Sequence, residues 1–136
     1  MPGGAALGWI LLGALVLRLW SLKHGLPFVY NTDEEQHFVP RALTMIGGGL
    51  DPHYFENPPG LTYLLWAAFA VRYAGENIRS LFHDDPGVVY LTGREVVAVL
   101  GTAVVAATYP LAARFARDRY AGLVAAGVMA VAFVPV

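Results

Sequence analysis

The stretch that decides the fold class is VVYLTGREVVAVLGTAVVAATYPLAA, residues 88–113. After Arg94 and Glu95 it contains no further Asp, Glu, Lys or Arg until Arg114. A helix that crosses the hydrocarbon core of a bilayer needs about 20 mainly apolar residues. We therefore predict a membrane-spanning helix over residues 88–113.

Two further apolar stretches predict membrane spans over residues 5–22 and 120–136. The first contains one charged residue, Arg18, which we expect to snorkel to the membrane interface because it lies near one end of the stretch. The predicted fold class is therefore all-α, an integral membrane module with three transmembrane helices. Because the last stretch is still apolar at Val136, we expect a fragment or truncated chain.

The composition supports a membrane protein and excludes several other classes. Hydrophobic residues make up 57% of the chain and charged residues 14%, with a mean hydropathy of +0.52, whereas a soluble domain carries about 25% charged residues. The net charge of -1 excludes the basic face of a nucleic-acid binder. The absence of cysteine excludes disulfides, thiolate metal sites and cysteine nucleophiles.

Charge placement predicts the orientation in the cell membrane. Acidic residues outnumber basic ones in residues 23–57 and 76–87, whereas residues 114–119 contain three arginines and one aspartate. Positively charged loops stay cytoplasmic. We therefore predict a multi-pass protein with a cytoplasmic N-terminus, an extracytoplasmic loop over residues 23–87 and a cytoplasmic turn at 114–119.

Within this outer loop we predict two juxtamembrane helices. One starts near Asp33 and runs to about Ile46, where the glycines 47–49 end it. The other lies within residues 58–75, and its uninterrupted apolar part, residues 61–71, spans only about 16 Å as a helix. That is about half a bilayer, so we interpret this helix as interfacial.

The acidic segment NTDEEQH, residues 31–37, allows two interpretations. Thr32 and Glu35 have the spacing of a capping box, and acidic residues in a first helical turn are favoured by the macrodipole, so the segment could simply begin a helix. Alternatively, Asp33 and His37 share a helix face, and an ionised Asp33 could act as a general base. The sequence leaves both open, and it does not decide whether the carboxylates bind a divalent metal ion.

Two other features extend the candidate site. The turn YFENPPG, residues 54–60, could be purely structural or could hold Tyr54 and Glu56 towards Asp33. Charges in a membrane span pair with one another, snorkel or face a cavity. Arg94 therefore either stays near the interface beside Glu95 or points to the polar loop and binds an anion such as a phosphate.

The order of these pieces resembles the N-terminal part of the GT-C glycosyltransferases, in particular the protein O-mannosyltransferase-like and aminoarabinose-transferase-like enzymes. Those enzymes take a sugar from a polyprenyl-phosphate carrier. The resemblance covers nearly the whole chain and is carried by the following motifs, in this order: Arg18-Leu19-Trp20, Asp33-Glu34, Gly47–Gly49, Glu56-x-Pro58-Pro59, Gly93-Arg94 and the arginine-rich turn.

The resemblance implies an inverting sugar transfer at the outer face of the membrane. Asp33, with Glu34 beside it, would be catalytic, and the substrate-binding residues would be His37, Tyr54, Glu56 and Arg94. The partners would be a polyprenyl-phosphate-linked sugar, the lipid bilayer and an acceptor that is a lipid, a glycan or a protein. The family fold needs further spans, so we expect these 136 residues alone to be inactive.

The alternative is a small non-enzymatic membrane subunit that packs against a larger partner through its spans. Small residues permit close approach of membrane helices, and the later spans contain many of them: Gly101, Ala103, Ala106, Ala107, Gly122, Ala125, Ala126 and Gly127. Multi-span enzymes use the same packing, so this feature does not discriminate. A transporter fragment ranks third because the spans offer few polar groups.

Overall fold

The computed structural model describes residues 2–28, 33–54 and 56–132, and within these ranges all regular secondary structure is helical. The predicted all-α class is therefore confirmed. The elements, in chain order, are α1 (Pro2–Trp20), a π-helix (Asp33–Phe38), α2 (Val39–Met45), α3 (Gly60–Arg72), α4 (Ile78–Asp84), α5 (Pro86–Ala116) and α6 (Arg119–Ala132).

Helix α5 is the one described helix that is long and apolar enough to cross a membrane. Its 31 residues extend about 46 Å at the rise of an α-helix. Only 11% of its most apolar 18-residue window is buried within the chain, whereas the core helix of a soluble protein is mostly buried. The predicted helix over residues 88–113 is confirmed and extends a few residues further at each end.

The other two predicted spans are helical but shorter. The apolar part of α1 covers Gly4–Trp20, and α6 covers Arg119–Ala132, while residues 133–136 lie outside the described residues. By length and apolarity, one described helix can span a bilayer, not three. The predicted turn at 114–119 is also too long, because α5 continues to Ala116 and α6 begins at Arg119.

The chain divides into two compact units, which we call the apolar unit (residues 1–22 and 97–136) and the loop unit (residues 23–96). The loop unit corresponds to the predicted outer loop plus the first turns of α5. Helix α5 contributes residues to both units.

In the apolar unit, α1 packs against α6 around Ala14, Val105, Ala126 and Ala130. Most of these core residues are small, so the helices approach closely and backbone groups come within reach of side chains. Larger side chains, including Leu11 and Tyr109, pack around these small core residues.

Arg18 lies between these closely packed helices and bonds to their backbones. The expectation that it snorkels to the membrane interface is therefore wrong. Its side chain is 4% exposed, and its Nη1 donates hydrogen bonds to the carbonyl oxygens of Ala14 (3.0 Å) and Ala130 (3.3 Å). A Cβ atom added to Gly101 would lie 2.8 Å from Arg18 Nε. The guanidinium of Arg18 therefore occupies the space that a side chain at position 101 would fill.

The Gly101→Ala substitution should destabilise the apolar unit, because the new methyl group forces the buried guanidinium of Arg18 away from its carbonyl partners. We expect a loss of about 1 to 3 kcal/mol of unfolding free energy, measured by thermal unfolding in detergent. Gly127→Ala is the matched control, since nothing lies within 4 Å of its added Cβ. Equal melting temperatures for the two variants would contradict this packing.

In the loop unit, α2 packs against α3 and the π-helix, and the buried core includes Val39, Leu65, Phe69 and Val89. Val89 belongs to the first turns of α5, so the loop unit is built onto the start of the apolar helix. Tyr73 extends this contact, because its hydroxyl lies 2.8 Å from Thr92 Oγ1. The predicted second outer helix is confirmed as α3, Gly60–Arg72.

The end of α2 is fixed by glycines and by a distant arginine. Gly47 and Gly49 adopt φ angles of 81° and 102°, which glycine tolerates at no steric cost, so the predicted termination is confirmed. Arg79 Nη2 donates to the carbonyl oxygens of Thr44 (3.3 Å) and Ile46 (3.0 Å). These bonds satisfy carbonyl groups that the end of a helix leaves unpaired.

Candidate functional site

The centre of the loop unit's polar face is an ion pair between Glu34 of the π-helix and Arg94 of α5. Arg94 Nε lies 2.8 Å from Glu34 Oε1, and Arg94 Nη2 lies 3.0 Å from Oε2. Arg94 Nη1 also donates to the carbonyl oxygen of His24 at 2.8 Å. Such a bidentate pair is stronger and more directional than a single hydrogen bond.

Burial makes this pair more important than an ordinary surface salt bridge. The side chains of Arg94 and Glu34 are 20% and 18% exposed, so each charge has given up most of its hydration. Removing Arg94 would leave Glu34 as a poorly compensated, mostly buried charge. Of the two sequence interpretations, the structure has Arg94 directed to the polar loop, where it binds Glu34 rather than Glu95.

Glu34 lies on an unusual helical segment. Residues Asp33–Phe38 form a π-helix before the chain continues as α2. π-Helical segments make up well under 1% of residues and often occur at functional sites. The predicted helix from Asp33 to Ile46 is therefore present, but its first part is π-helical. Thr32 and the side chain of Asp33 lie outside what the structure describes.

An aromatic cluster adjoins this segment. The rings of His37 and Tyr54 stack with centroids 4.5 Å apart and an interplanar angle of 6°. The guanidinium of Arg41 lies 5.6 Å from the Tyr54 ring centroid, and Asn57 Nδ2 donates to the Tyr54 hydroxyl at 3.4 Å. Asn57 of the turn thus bonds to Tyr54, whose ring stacks on His37 of the π-helix, and the predicted approach of Tyr54 and Glu56 to Asp33 stays a prediction.

One ring nitrogen of His37 has no hydrogen-bond partner among the described residues. Its Nδ1 is buried and makes no hydrogen bond within the described residues. Buried polar side-chain atoms usually have a partner, so each exception needs an explanation. Here the ring face is used for stacking on Tyr54 while Nδ1 retains the capacity to bind a further polar group.

The remaining candidates differ in placement. Glu56 is exposed and forms no hydrogen bond or ion pair within the described part of the chain, so the structure does not bring it into contact with Glu34 or His37. No group of three His, Asp or Glu side chains at metal-binding distance occurs among the described residues. Each oxygen of Glu34 accepts a hydrogen bond from Arg94.

Sequence reasoning missed the contact that organises the site. Glu34 and Arg94 are 60 residues apart, and no local pattern selects Glu34 from the five acidic residues of the segment 23–57. The available signal was Arg94 itself, because a charge at the start of an apolar helix needs a partner. Helix α4, whose Asn77 side chain accepts a hydrogen bond from Ser80 N, was also missed.

Substituting Glu34 by Gln should destabilise the loop unit, because the bidentate acceptor is lost and Arg94 remains mostly buried. We expect a loss of about 1 to 3 kcal/mol, a range set below that of a fully buried pair because solvent still reaches both side chains. The adjacent, exposed Glu35→Gln is the matched control and should change the unfolding free energy by about 0.5 kcal/mol or less. Similar losses in chemical denaturation of the two variants would refute the importance of the pair.

Comparisons of the chain with protein-family models, curated proteins and solved structures give no match. A functional assignment therefore depends on the residues and contacts of this chain.

Proposed function

We propose that the chain is the N-terminal part of an inverting membrane glycosyltransferase of the GT-C type, which moves a sugar from a polyprenyl-phosphate carrier to an acceptor at the outer face of the cell membrane. The observation that carries this proposal is the bidentate pair between Glu34 and Arg94. It attaches the acidic π-helix to the start of the apolar helix α5, where a lipid-borne phosphate would be presented.

The proposed membrane placement has three spans, with the N-terminus in the cytoplasm and the acidic loop outside. Helix α5 has the required length, and the 19 residues of α1 extend about 28 Å, close to the hydrocarbon thickness. Exposed apolar side chains on these helices, including Trp9 (73%) and Val99 (59%), are those expected to contact lipid. The arginine-rich end of α5 supports the same orientation.

In the proposed reaction, Asp33 accepts the proton of the acceptor hydroxyl as that oxygen attacks the anomeric carbon. The bond between this carbon and the phosphate oxygen breaks, and the polyprenyl phosphate leaves with the electron pair. A single displacement of this kind inverts the anomeric centre. Asp33 is favoured as the base because Glu34 is engaged by Arg94 and acts as a positioning residue for the π-helix.

The neighbouring residues have complementary parts in this proposal. In this proposal the leaving phosphate replaces Glu34 as an anionic partner of the Arg94 guanidinium, which then supplies the electrostatic stabilisation that such a transition state needs. The stacked rings of His37 and Tyr54 offer a flat surface and the unsatisfied Nδ1 of His37 for a sugar or acceptor. Glu56 is an outer substrate contact, and a divalent cation at Asp33 stays a prediction.

A second candidate function, a non-enzymatic membrane subunit, is favoured by one observation. Gly4 and Gly8 on α1 have the four-residue spacing of a helix-dimerisation motif, and nothing lies within 4 Å of a Cβ added to either. Gly101 and Gly122, by contrast, are already used in packing within the chain. A subunit would bind a helical partner through α1 and would have no preference for a phosphorylated polyprenol.

The first experiment measures donor-type binding to the purified chain in detergent, using farnesyl phosphate and farnesol as probes in native mass spectrometry. We expect farnesyl phosphate to bind more tightly. The double substitution Glu34→Gln/Arg94→Gln, which removes both charges of the pair, should weaken it about tenfold or more, because charged hydrogen bonds are lost. Arg72→Gln, which removes an exposed arginine of α3, is the control. Equal binding of the two probes would favour the subunit.

The second experiment tests Asp33 in the enzyme that carries this chain. Asp33→Asn keeps the size of the side chain but removes the base, so sugar transfer in membranes supplied with a lipid-linked sugar should fall by about two orders of magnitude or more. Glu35→Gln, the neighbouring exposed carboxylate, should retain activity. Undiminished transfer by Asp33→Asn would show that Asp33 is not the base and serves only at the start of the helix.

A further inference from the structure

A second polar site lies in the apolar unit, at the turn between α5 and α6. It is an open groove of about 630 Å³ with an apolar side formed by Tyr109, Pro110 and Ala113. Its charged side contains three arginines, Arg114, Arg117 and Arg119. The predicted function does not use this groove.

Close packing and a specific helix ending build the groove. A Cβ added to Gly122 would lie 2.8 Å from the carbonyl oxygen of Tyr109, so α6 approaches α5 closely on this side. Arg117 ends α5 with a φ of 53°, and Asp118 N donates to the Ala113 carbonyl oxygen at 3.1 Å. This is the bonding of a Schellman motif, with arginine at the position that glycine usually takes.

The aspartate of the groove offsets only part of its positive charge, since three arginines and one aspartate leave a net charge of +2. Asp118 Oδ1 accepts from Tyr120 N at 3.0 Å and Oδ2 accepts from Ala121 N at 3.3 Å, so the carboxylate caps the start of α6. Within residues 2–28, 33–54 and 56–132, neither Arg114 nor Arg117 forms an ion pair. The groove therefore presents an excess of guanidinium groups.

Exposed apolar side chains lie close in sequence to these cations. Phe115 is 91% exposed, Leu111 61% and Tyr120 61%, and Arg119 lies over the Tyr120 ring at 5.0 Å. Guanidinium groups beside exposed tyrosine, phenylalanine and leucine are the combination found where a helix leaves the hydrocarbon region and meets lipid headgroups. A freely dissolved anion would gain nothing from the apolar side chains.

We propose that this basic groove binds the phosphate group of an anionic membrane phospholipid, whose acyl chains lie along the exposed apolar side chains near the end of α5. Arg114 and Arg117 contact the phosphate, and Asp118 caps the start of α6. The site is independent of Glu34 and Arg94, and it holds a resident lipid rather than a sugar donor.

The test is native mass spectrometry of the full chain in detergent with phosphatidylglycerol, with phosphatidylcholine and with inorganic phosphate. We expect preferential binding of phosphatidylglycerol. The single substitutions Arg114→Gln and Arg117→Gly should each weaken it about fivefold, as expected for one basic residue near a membrane surface. Arg117→Gly also removes the positive φ of a non-glycine residue, so the fold should be kept.

Three controls keep the result interpretable. Arg72→Gln removes the same charge from α3 and should leave phosphatidylglycerol binding within about twofold, and the Glu34→Gln/Arg94→Gln variant should also retain it. Arg114→Lys should recover most of the binding lost in Arg114→Gln. Equal binding of the two phospholipids, full competition by inorganic phosphate, or an equal effect of Arg72→Gln would overturn the proposal.

Discussion

The ion pair between Glu34 and Arg94 is the constraint on which the loop unit depends. An arginine near the start of a long apolar helix must either reach water or find an anion. Here it finds both oxygens of Glu34 and the carbonyl of His24. The acidic segment is thereby attached to α5, and the π-helix places His37 where Tyr54 can stack on it. The ion pair that holds the loop unit together is therefore also the contact on which the proposed chemistry depends.

The arginines of the apolar unit are accommodated in other ways than Arg94. Arg18 is buried without a carboxylate within ion-pair distance in the described residues, and backbone carbonyls beside Gly101 accept its hydrogen bonds. The arginines at the end of α5 stay exposed, and Asp118 is used as a helix cap rather than as their partner. The lack of a side chain at Gly101 leaves space for the Arg18 side chain, and the lack of one at Gly122 allows α6 to approach α5 closely.

The length of the apolar stretches and the run of glycines predicted the helical class, α5, α3 and the glycine stop after α2, because each depends on local hydrophobicity or backbone freedom. The Glu34–Arg94 contact could not be predicted in the same way, since it joins residues 60 positions apart. Arg18 was wrongly expected to snorkel because the room beside Gly101 is a property of packing. The role of Asp33 stays a prediction, since its side chain lies outside the described residues.

We propose that α5 crosses the membrane with the loop unit outside, and cysteine labelling tests this placement most directly. The chain has no cysteine, so single cysteines at the exposed positions Ser80→Cys and Ala116→Cys can be labelled with a membrane-impermeant maleimide in intact cells. The account predicts labelling of Ser80→Cys alone, with Ala116→Cys labelled only after the membrane is permeabilised. Labelling of both positions in intact cells, or of neither, would contradict it.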